Sequence, residues 1–469
     1  MIPVTLAQLA DAVGGRLRDA RDAGRLVDAV TIDSRTAGPG ALFVPLAGAR
    51  ADGHDFIADA VARGAAGYLT AAGRWPPGAA GDVPGAVVVD DPADALLGLG
   101  AWVRDTVDPT VVAITGSNGK TTTKDFTAAA VGASRATVAS RGSYNNELGV
   151  PLTLCALTLS SEVLVAEIGA RGIGQIAGLI PIARPDIAVV TTVSGAHLEQ
   201  FGTLEDVTAA KTELVEGLGF DGIAVLNADD PRVAGMVSAA PGRVITYGRA
   251  KGADWRAEDV QLDAAARARF RVRGITVTLP LPGEHNVTNA LAALAVADAC
   301  KVGLEPAVEA LERAPVSRWR MELSRTAGGV AVLNDAYNAN PASTEAALRA
   351  FACMAVDGRR WAVLGRMAEL GPSSDQAHER IGRLVVQLGI DGLIAVADPI
   401  EPGAAAILAR AGTGELAAGT DDAVRLLEAR LRPGDAVLIK ASRSVGLERV
   451  AQAVLISGDR MSGPPGGGR

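Results

Sequence analysis

The sequence predicts an α/β protein made of three consecutive domains. Its 469 residues allow about three domains at roughly 150 residues each. From residue 107 onward, short apolar runs alternate with helix-like stretches. One strand-like run also leads directly into a Gly-rich turn and a helix near residue 116. This alternation is typical of doubly wound, mostly parallel sheets with crossover helices.

The domain boundaries follow changes in this pattern. Residues 1–106 mix short helical and strand patterns and are predicted to form a small N-terminal α/β domain. Residues 107–314 form a central doubly wound domain, with strand-like runs at Thr110–Ile114, Val163–Ile168, Ile187–Val193 and Ile223–Leu226 and a closing helix at Val287–Cys300. Residues 315–456 form a Rossmann-like C-terminal domain, with strand-like runs at Val330–Asn334, Trp361–Leu364, Gly392–Val396 and Ala436–Lys440. Residues 457–469 are rich in Gly and Pro and are predicted to be a disordered tail.

Composition excludes several classes of protein. The net charge is -8 and acids and bases are interspersed, which disfavours nucleic acid as a partner. Cys155, Cys300 and Cys353 lie far apart and form no metal or redox spacing. The sequence shows neither a signal peptide nor an apolar run of about 18 residues. We therefore expect a cytoplasmic protein without membrane insertion, and we expect a monomer.

A phosphate-binding loop is predicted at the start of the central domain. Backbone N–H groups in a strand–loop–helix turn can hold phosphate oxygens. Gly116 and Gly119 let the backbone come close to the ligand. Lys120 can reach the β- and γ-phosphates, and Thr121 can ligate Mg²⁺. With Ser117, Asn118 and Thr122, these residues predict a P-loop ATPase domain that binds ATP and Mg²⁺.

The loop departs from the standard pattern at one position. Ile114 stands where a Gly five residues before Gly119 is usual, so the loop has the shorter form Gly-x-x-Gly-Lys-Thr. An ordinary strand-to-helix turn is the alternative, but the complete strand–loop–helix context disfavours it.

A second Gly-rich motif competes with the phosphate loop. Gly172-Ile-Gly174-Gln-Ile-Ala177 follows a strand-like run and fits a dinucleotide fingerprint. The acid that would bind a ribose about 20 residues further on is missing, and Glu199 is the nearest candidate. A close-packed helix start is therefore the favoured interpretation.

Three further polar residues stand where ligands bind in open α/β sheets. Glu167 ends one strand-like run and His197 follows the next, so both should lie beyond the carboxyl ends of the strands. Glu167 could ligate Mg²⁺ opposite Thr121, or it could be a solvent-facing acid. Position alone also leaves open whether His197 is a ligand or a packed histidine. Lys211 lies on an amphipathic helix, where a solvated lysine is the ordinary interpretation.

These motifs together resemble the Mur ligase family of peptidoglycan synthesis, nearly end to end apart from the tail. In the first domain the matching segments are Asp33-Ser-Arg-Thr, Leu42-Phe-Val-Pro-Leu and Asp52-Gly-His-Asp-Phe56. In the second they are Thr115–Lys124, Tyr144–Thr153, Glu167–Ala170, His197-Leu-Glu, Ala210–Glu213 and Pro282–Leu291. In the third they are Asn334–Pro341, Leu364–Gly371 and Lys440–Glu448. The resemblance implies a three-domain ligase.

The resemblance implies roles for the catalytic and metal-binding residues. Lys120 and Thr121 would bind the ATP phosphates and Mg²⁺, and Glu167 would be the carboxylate on that metal. His197 and Lys211 would hold a second Mg²⁺. In relatives this lysine can be a carbamate, which converts an ammonium group into an oxygen ligand.

The resemblance also implies contacts to both substrates. Asn286 and Asn289 would contact adenine, Arg320 the phosphates across the domain gap, and Asp335 the ribose. The other substrate-binding residues would be Asn145 and Asn146 for the muramoyl-peptide, Ser34 and Arg35 in the UDP-binding region, Tyr337 and Asn338, and Ser442 and Arg443 facing the peptide or the incoming dipeptide.

Structural roles are the alternatives at these positions. Asn286 could cap the helix that follows it, and Tyr337 with Asn338 could form a turn. Arg320 could be a surface arginine, and Arg443 could cap a helix end. Ser34 and Arg35 could form a turn, which local pattern alone favours. Three residues also depart from the family pattern: Asn334 and Arg366 replace Asp, and Ala441 replaces Gly.

The reaction that the resemblance implies is an amide ligation. UDP-N-acetylmuramoyl-tripeptide and D-alanyl-D-alanine would be the partners, and ATP would activate the carboxylate as an acyl-phosphate. The ligase that adds the third stem-peptide residue and a folylpolyglutamate synthase are alternatives that would use the same ATP-dependent amide ligation. A non-catalytic nucleotide-binding switch or scaffold is a further alternative, but it would not need Glu167, His197 and Lys211 together.

Overall fold

The computed structural model of the protein describes residues 1–48, 51–74, 83–195 and 198–460. Its first region consists of β1 Val4–Thr5, α1 Leu6–Ala12, β2 Arg16–Leu17, β3 Leu26–Val27, β4 Ala29–Thr31, β5 Ala41–Phe43, α2 Ile57–Ala62, β6 Gly67–Ala71, β7 Ala86–Val89 and α3 Pro92–Val107. Strands β1 and β3 pair antiparallel, and the others form a sheet in the order β2-β7-β6-β5-β4. This region matches the predicted small α/β unit.

The second region is built around a parallel sheet. Its elements are β8 Thr110–Thr115, α4 Lys120–Gly132, β9 Thr137–Ala139, α5 Gly149–Leu154, β10 Val163–Glu167, α6 Gln175–Ala183, β11 Ile187–Val190, α7 Leu198–Phe201, α8 Leu204–Glu216, β12 Ile223–Asn227, α9 Pro231–Gly235, β13 Arg243–Gly248, β14 Trp255–Arg256, β15 Glu258–Leu262, β16 Arg267–Val272, β17 Ile275–Pro282, α10 Asn286–Ala299 and α11 Leu304–Glu312. Every pairing in the order β14-β13-β12-β11-β8-β10-β9 is parallel. Strands β15, β16 and β17 form a separate antiparallel sheet.

The third region is a second α/β layer structure. Its elements are β18 Glu322–Arg325, β19 Ala331–Asn334, α12 Pro341–Cys353, β20 Arg360–Leu364, α13 Ser374–Gln387, β21 Gly392–Val396, α14 Pro402–Ala411, β22 Glu415–Ala417, α15 Thr420–Arg430, β23 Ala436–Lys440 and α16 Glu448–Arg460. The sheet order is β18-β19-β23-β20-β21-β22, and only the edge strand β18 pairs antiparallel among these described strands. The predicted α/β fold class is therefore confirmed, while the boundaries near residues 106 and 314 stay predictions.

The order of the central strands creates a crevice beside β8. Strands β10 and β9 lie on one side of β8, and β11 and β12 lie on the other. Ligands bind beyond the carboxyl ends of the strands where the order reverses in this way. Strands β8, β10 and β11 are buried almost throughout, which explains their continuous apolar runs. The fold thus places the turn after β8 and the end of β10 side by side.

The predicted disordered tail is wrong at its beginning. Helix α16 continues through Arg460, so residues 457–460 are helical. Ser457 Oγ donates to Glu428 Oε1 at 2.6 Å, which ties this end of the helix to α15. The rest of the predicted tail, residues 461–469, lies outside the described residues.

No helix in the described part of the chain combines the length and apolar character that a membrane-spanning helix requires.

Candidate active site

The turn between β8 and α4 has the backbone of a phosphate-binding loop. Gly116 has φ 139° and Gly119 has φ 83°, conformations that favour glycine. A Cβ at Gly116 would collide with Thr191 Oγ1, and one at Gly119 would collide with Asn289 Oδ1. Lys120 Nζ donates to Gly116 O at 2.6 Å, so the ammonium group lies over the loop. Burial lowers the pKa of Lys120. The carboxylate of Glu167 opposes this change, and the Arg320 guanidinium adds to it.

A buried carboxylate faces the first turn of α4. Glu167 ends β10 and pairs in register with Ile114 on β8. Its Oε2 accepts a hydrogen bond from Thr121 Oγ1 at 2.9 Å, and its Oε1 accepts one from Asn145 Nδ2 at 2.7 Å. Glu167 is buried, so the interpretation as a solvent-facing acid is wrong.

Arg320 reaches Thr121, the partner of Glu167, from the segment that leads into the C-terminal region. Its Nη2 donates to Thr121 Oγ1 at 3.2 Å, and its guanidinium stacks 4.2 Å from the ring centre of Tyr337. The residues on either side, Trp319 and Met321, have φ 60° and 51°. Positive φ at non-glycine residues is uncommon and concentrates at functional sites. Arg320 is directed at the loop and is not a surface arginine.

A buried ion pair supports Arg320 from the C-terminal sheet. Lys440 Nζ lies 2.5 Å from Asp335 Oδ2 and 2.8 Å from Asn338 O. The other carboxylate oxygen of Asp335 accepts from Met321 N at 3.1 Å. Burial lowers the pKa of Lys440, and Asp335 opposes that change. The pair therefore connects the end of β23 to the segment that carries Arg320.

One large cavity collects most of the predicted site residues. Its volume is about 1180 Å³, and it extends from Leu97 on α3 to Lys440 on β23. Pockets for single drug-sized ligands are usually about 300–1,000 Å³, so this cavity has room for more than one ligand. Among the described residues, its lining includes Gly116, Ser117, Asn118, Gly119, Lys120, Thr121, Thr122, Asn145, Asn146, Glu167, Lys211, Asn286, Asn289, Arg320, Asp335, Tyr337 and Asn338.

Lys211 is a buried member of this lining. Burial, followed by repulsion from Lys120, lowers the pKa of Lys211 to about 7. Its Nζ lies 5.6 Å from the ring centre of Phe201. The interpretation of Lys211 as an ordinary solvated lysine is therefore wrong. His197, predicted to lie beside it, is outside the described residues.

The two asparagines predicted to contact adenine are held by each other. Asn289 Nδ2 donates to Asn286 Oδ1 at 2.9 Å, and Asn286 Nδ2 donates to Pro282 O at 2.8 Å. Helix α10 begins at Asn286, with His285 at the N-cap and without a side-chain capping bond from the described residues. Capping by Asn286 is therefore wrong, and contact with adenine stays a prediction.

Four predicted substrate residues lie outside the described lining of the cavity. Ser34 and Arg35 belong to a 3₁₀ turn that Asp33 caps, and Arg35 is paired with Asp33 at 2.7 Å. Ser442 is buried, and its Oγ accepts from Ala368 N at 2.8 Å. Arg443 pairs with Glu448 at 2.8 Å and stacks 4.3 Å from the ring centre of Trp319. Their roles toward substrate stay predictions.

The competing Gly-rich motif is occupied by a side chain of the protein itself. Glu213 on α8 accepts hydrogen bonds from Gly174 N at 2.5 Å and from Ala177 N at 2.8 Å. An anion at a helix N-terminus is favourable, and here the carboxylate of Glu213 supplies it. This contact supports the interpretation as a helix start.

Sequence reasoning assigned no role to two residues that organise the site. Lys440 ends an apolar strand, and a lysine in such a run needs a buried partner; this signal could have led to Asp335. Asn340 precedes Pro341 at the start of α12, a typical N-cap arrangement. No sequence pattern indicates its second contact, with Asn118 across the cleft.

The fold and the cavity define a class: multidomain α/β enzymes in which a phosphate-binding turn faces an interdomain cleft. Three family models match this chain: "Mur ligase family, catalytic domain" over residues 26–96, "Mur ligase middle domain" over 114–297, and "Mur ligase, glutamate ligase domain" over 319–443. The chain belongs to the Mur ligase family.

Individual relatives match over nearly their whole length. The UDP-N-acetylmuramoyl-tripeptide–D-alanyl-D-alanine ligase of Mycobacterium tuberculosis is 43% identical, over 97% of this chain and 98% of that protein. The ligase of the same name from Escherichia coli is 36% identical, over 98% and 100%. The crystal structure of MurF from Acinetobacter baumannii superposes with a TM-score of 0.85 at 31% identity, covering 97% and 99%. MurF ligase from Thermotoga maritima in complex with ADP has a TM-score of 0.79 at 28% identity, covering 93% and 99%.

Proposed function

We propose that the chain is an ATP-dependent ligase that adds D-alanyl-D-alanine to UDP-N-acetylmuramoyl-tripeptide. The products are UDP-N-acetylmuramoyl-pentapeptide, ADP and phosphate. The observation that carries the proposal is end-to-end similarity to ligases named for this reaction. The loop at Gly116–Thr121, facing Glu167 and Arg320 across one cavity, supports it independently.

The chemistry explains why ATP is needed. A carboxylate and an ammonium group do not condense in water, because the carboxylate oxygen is a poor leaving group. The terminal carboxylate of the tripeptide attacks the γ-phosphorus of ATP, ADP departs, and an acyl-phosphate forms. The free amine of D-alanyl-D-alanine then attacks the acyl carbon and loses a proton. The amide bond forms, and phosphate leaves from the tetrahedral intermediate.

The first step brings two anions together, so neutralising charge is the main task of the protein. Lys120 lies over the loop and can reach the transferred phosphoryl group. Arg320 contacts the hydroxyl of Thr121, at the end of the same loop, from the other side of the cleft. Closure of the two domains also excludes water that would hydrolyse the intermediate.

Mg²⁺ is the proposed metal partner of ATP. The hydroxyl of Thr121 and the carboxylate of Glu167 lie 2.9 Å apart at the end of the loop. Both are oxygen donors, the ligand type that Mg²⁺ prefers, and the ion commonly completes its shell with water and phosphate. The residues therefore fit the ion, whose bound charge would stabilise the negative phosphoryl oxygens.

A second cation beside Lys211 is proposed from the family resemblance. Lys211 is buried, and its pKa of about 7 leaves much of the amine neutral near neutral pH. A neutral amine is the form that reacts with carbon dioxide to give a carbamate. That modification would turn Lys211 into an anionic oxygen ligand, in keeping with its proposed role alongside His197.

ADP release is the direct test of the function. The purified protein is given ATP, Mg²⁺ and UDP-N-acetylmuramoyl-tripeptide, with D-alanyl-D-alanine or a single amino acid as acceptor. We expect ADP release only with the dipeptide, and a product heavier by the dipeptide residue mass. ADP release with UDP-N-acetylmuramoyl-dipeptide and a single amino acid instead would assign the chain to the ligase that adds the third residue. ADP binding without acceptor-dependent release would favour a nucleotide-binding switch.

Two further properties are proposed on the same basis. We propose a cytoplasmic location, because both nucleotide substrates are cytoplasmic. We also propose a monomer, since the cavity is formed within one chain. Sedimentation of the purified protein at several concentrations tests the second proposal.

A further inference from the structure

A hydrogen bond crosses the cleft directly from the phosphate loop to the C-terminal domain. Asn340 Nδ2 donates to Asn118 Oδ1 at 2.7 Å, although the two residues are 222 positions apart. Asn340 is buried at the start of α12, and Asn118 lies between Gly116 and Lys120. We call this pair the Asn118–Asn340 clasp.

Ser343 fixes the orientation of the Asn340 amide, and the clasp then orients the amide of Asn118. Ser343 N donates to Asn340 Oδ1 at 2.9 Å, and a backbone N–H can only donate. The oxygen of Asn340 therefore faces its own helix, and its Nδ2 faces Asn118. Asn118 in turn presents its oxygen to the clasp and donates through Nδ2 to Ser194 Oγ at 3.0 Å. The clasp is thus part of a consistent chain of donors and acceptors.

The central domain holds the rest of Asn118. Its N donates to Thr192 Oγ1 at 3.1 Å, and its O accepts from Thr191 Oγ1 at 2.6 Å. These bonds join the loop to the end of β11. The clasp adds a contact from the opposite domain to a residue that the central domain otherwise holds.

We propose that Asn340 is a positioning residue that couples closure of the C-terminal domain to the geometry of the phosphate loop. Asn340 acts through Asn118 and not on substrate. When the clasp forms, α12 and the segment carrying Arg320 approach the loop together, because both belong to the same domain. The inference rests on the proposed ligase function. It concerns how the phosphate loop and the C-terminal domain are aligned for that reaction.

The clasp can be removed without removing the helix cap. Asn340→Ser keeps an oxygen that accepts from Ser343 N, and Ser is as good an N-cap as Asn. The shorter side chain cannot reach Asn118. Asp91→Ser is the matched control, an N-cap change on α3, outside the described lining of the cavity.

The variants are compared in steady-state ADP release with saturating ATP. We expect Asn340→Ser to lower kcat about tenfold, the loss of roughly one neutral hydrogen bond, and to change KM for the UDP-tripeptide by less than about threefold. Asp91→Ser should stay within about threefold of the unmodified protein. Unchanged kcat in Asn340→Ser, or an equal loss in Asp91→Ser, would overturn the proposal.

A second measurement tests the clasp without turnover. Small-angle X-ray scattering is recorded with saturating ADP and Mg²⁺. We expect a larger radius of gyration for Asn340→Ser than for the unmodified protein, and an unchanged one for Asp91→Ser. Equal radii for all three would refute the clasp even if ligation is confirmed. Absence of dipeptide-dependent ADP release in the unmodified protein would instead reject the function and leave the scattering result to decide the clasp.

Discussion

Several charged side chains of this protein are removed from water, and each is held by a specific partner. Lys440 pairs with Asp335, and Arg366 donates through Nε to Asp398 Oδ2 at 2.9 Å. The second pair explains a departure from the family pattern. Arg366 stands where the family resemblance predicts an Asp, and Asp398 and, at 3.8 Å, Glu401 supply the opposite charge. The charge reversal is therefore compensated within the same domain.

Replacing Arg366 tests this compensation. Arg366→Met should lower the free energy of unfolding by about 3 kcal/mol, because it leaves the buried carboxylate of Asp398 without its partner. Urea unfolding measures the loss. Adding Asp398→Asn should recover part of the stability, since the second change removes the unpaired negative charge of Asp398.

An exposed arginine provides the comparison. Arg349 pairs with Glu345 at 2.9 Å, with its side chain 59% exposed. Arg349→Met should change the free energy of unfolding by less than about 1 kcal/mol, as is usual for surface ion pairs. Equal losses in Arg349→Met and Arg366→Met would contradict the role of burial.

The proposed phosphoryl transfer is expected to depend most on Lys120. Lys120→Ala should reduce ADP formation by about a thousandfold or more, because it removes the ammonium group over the loop. Circular dichroism should show an unchanged fold. Lys251→Ala, at an exposed lysine, is the control and should keep full activity. Turnover of Lys120→Ala within about tenfold of the unmodified protein would contradict the mechanism.

At the scale of elements, buried parallel strands were the most predictable part of the fold. The runs predicted at Gly392–Val396 and Ala436–Lys440 match strands β21 and β23 residue for residue. Such strands are covered on both faces, so the sequence shows them as uninterrupted apolar runs. The ends were less certain: the run Ile187–Val193 forms a strand only to Val190.

The antiparallel sheet β15-β16-β17 was not predicted. In β16 the exposed residues are Arg267, Arg269 and Arg271, which alternate with buried Ala268, Phe270 and Val272. Period-two alternation marks a strand with one face in solvent. The other strands were recognised as uninterrupted apolar runs. The three arginines interrupt such a run in β16, although the alternation itself is present in the sequence.

Helix α6 offers a prediction at this scale. Glu213→Gln should destabilise the protein by about 1 kcal/mol, because a neutral amide replaces the carboxylate that accepts from Gly174 N and Ala177 N. Thermal unfolding measures the change. Glu216→Gln, an exposed position on the same helix α8, is the control and should have little effect. A dinucleotide site at this helix would instead predict cofactor absorbance in the purified protein.

At the scale of the whole molecule, the sequence predicted one half of the site better than the other. The loop residues and Glu167 come together as expected because the ends of neighbouring parallel strands share an edge. Contacts across the cleft had no such rule. Neither periodicity nor spacing could show that Asn340 meets Asn118 or that Met321 N reaches Asp335. The family resemblance alone directed attention to Arg320.

The three thiols test whether the cores are as closed as the structure shows. Cys155 and Cys300 are buried, and burial raises their pKa values to about 12 and about 11, whereas Cys353 is exposed. At pH 8 the two buried groups are almost entirely protonated, and the thiolate is the reactive form. A thiol reagent should therefore modify one group per native chain quickly and all three after denaturation. Rapid modification of two in the native protein would contradict the packing.

The connection between the second and third domains is fastened to the helix that begins with Lys120. Ser317 N donates to Asp125 Oδ2 at 2.8 Å, and Asp125 lies little more than one turn along α4 from Lys120. A rotation pivoting at Ser317 moves nearby Arg320 through a short arc and the remote strand Glu415–Ala417 through a long one. Closure would therefore displace Arg320 less far than the outer edge of the C-terminal sheet.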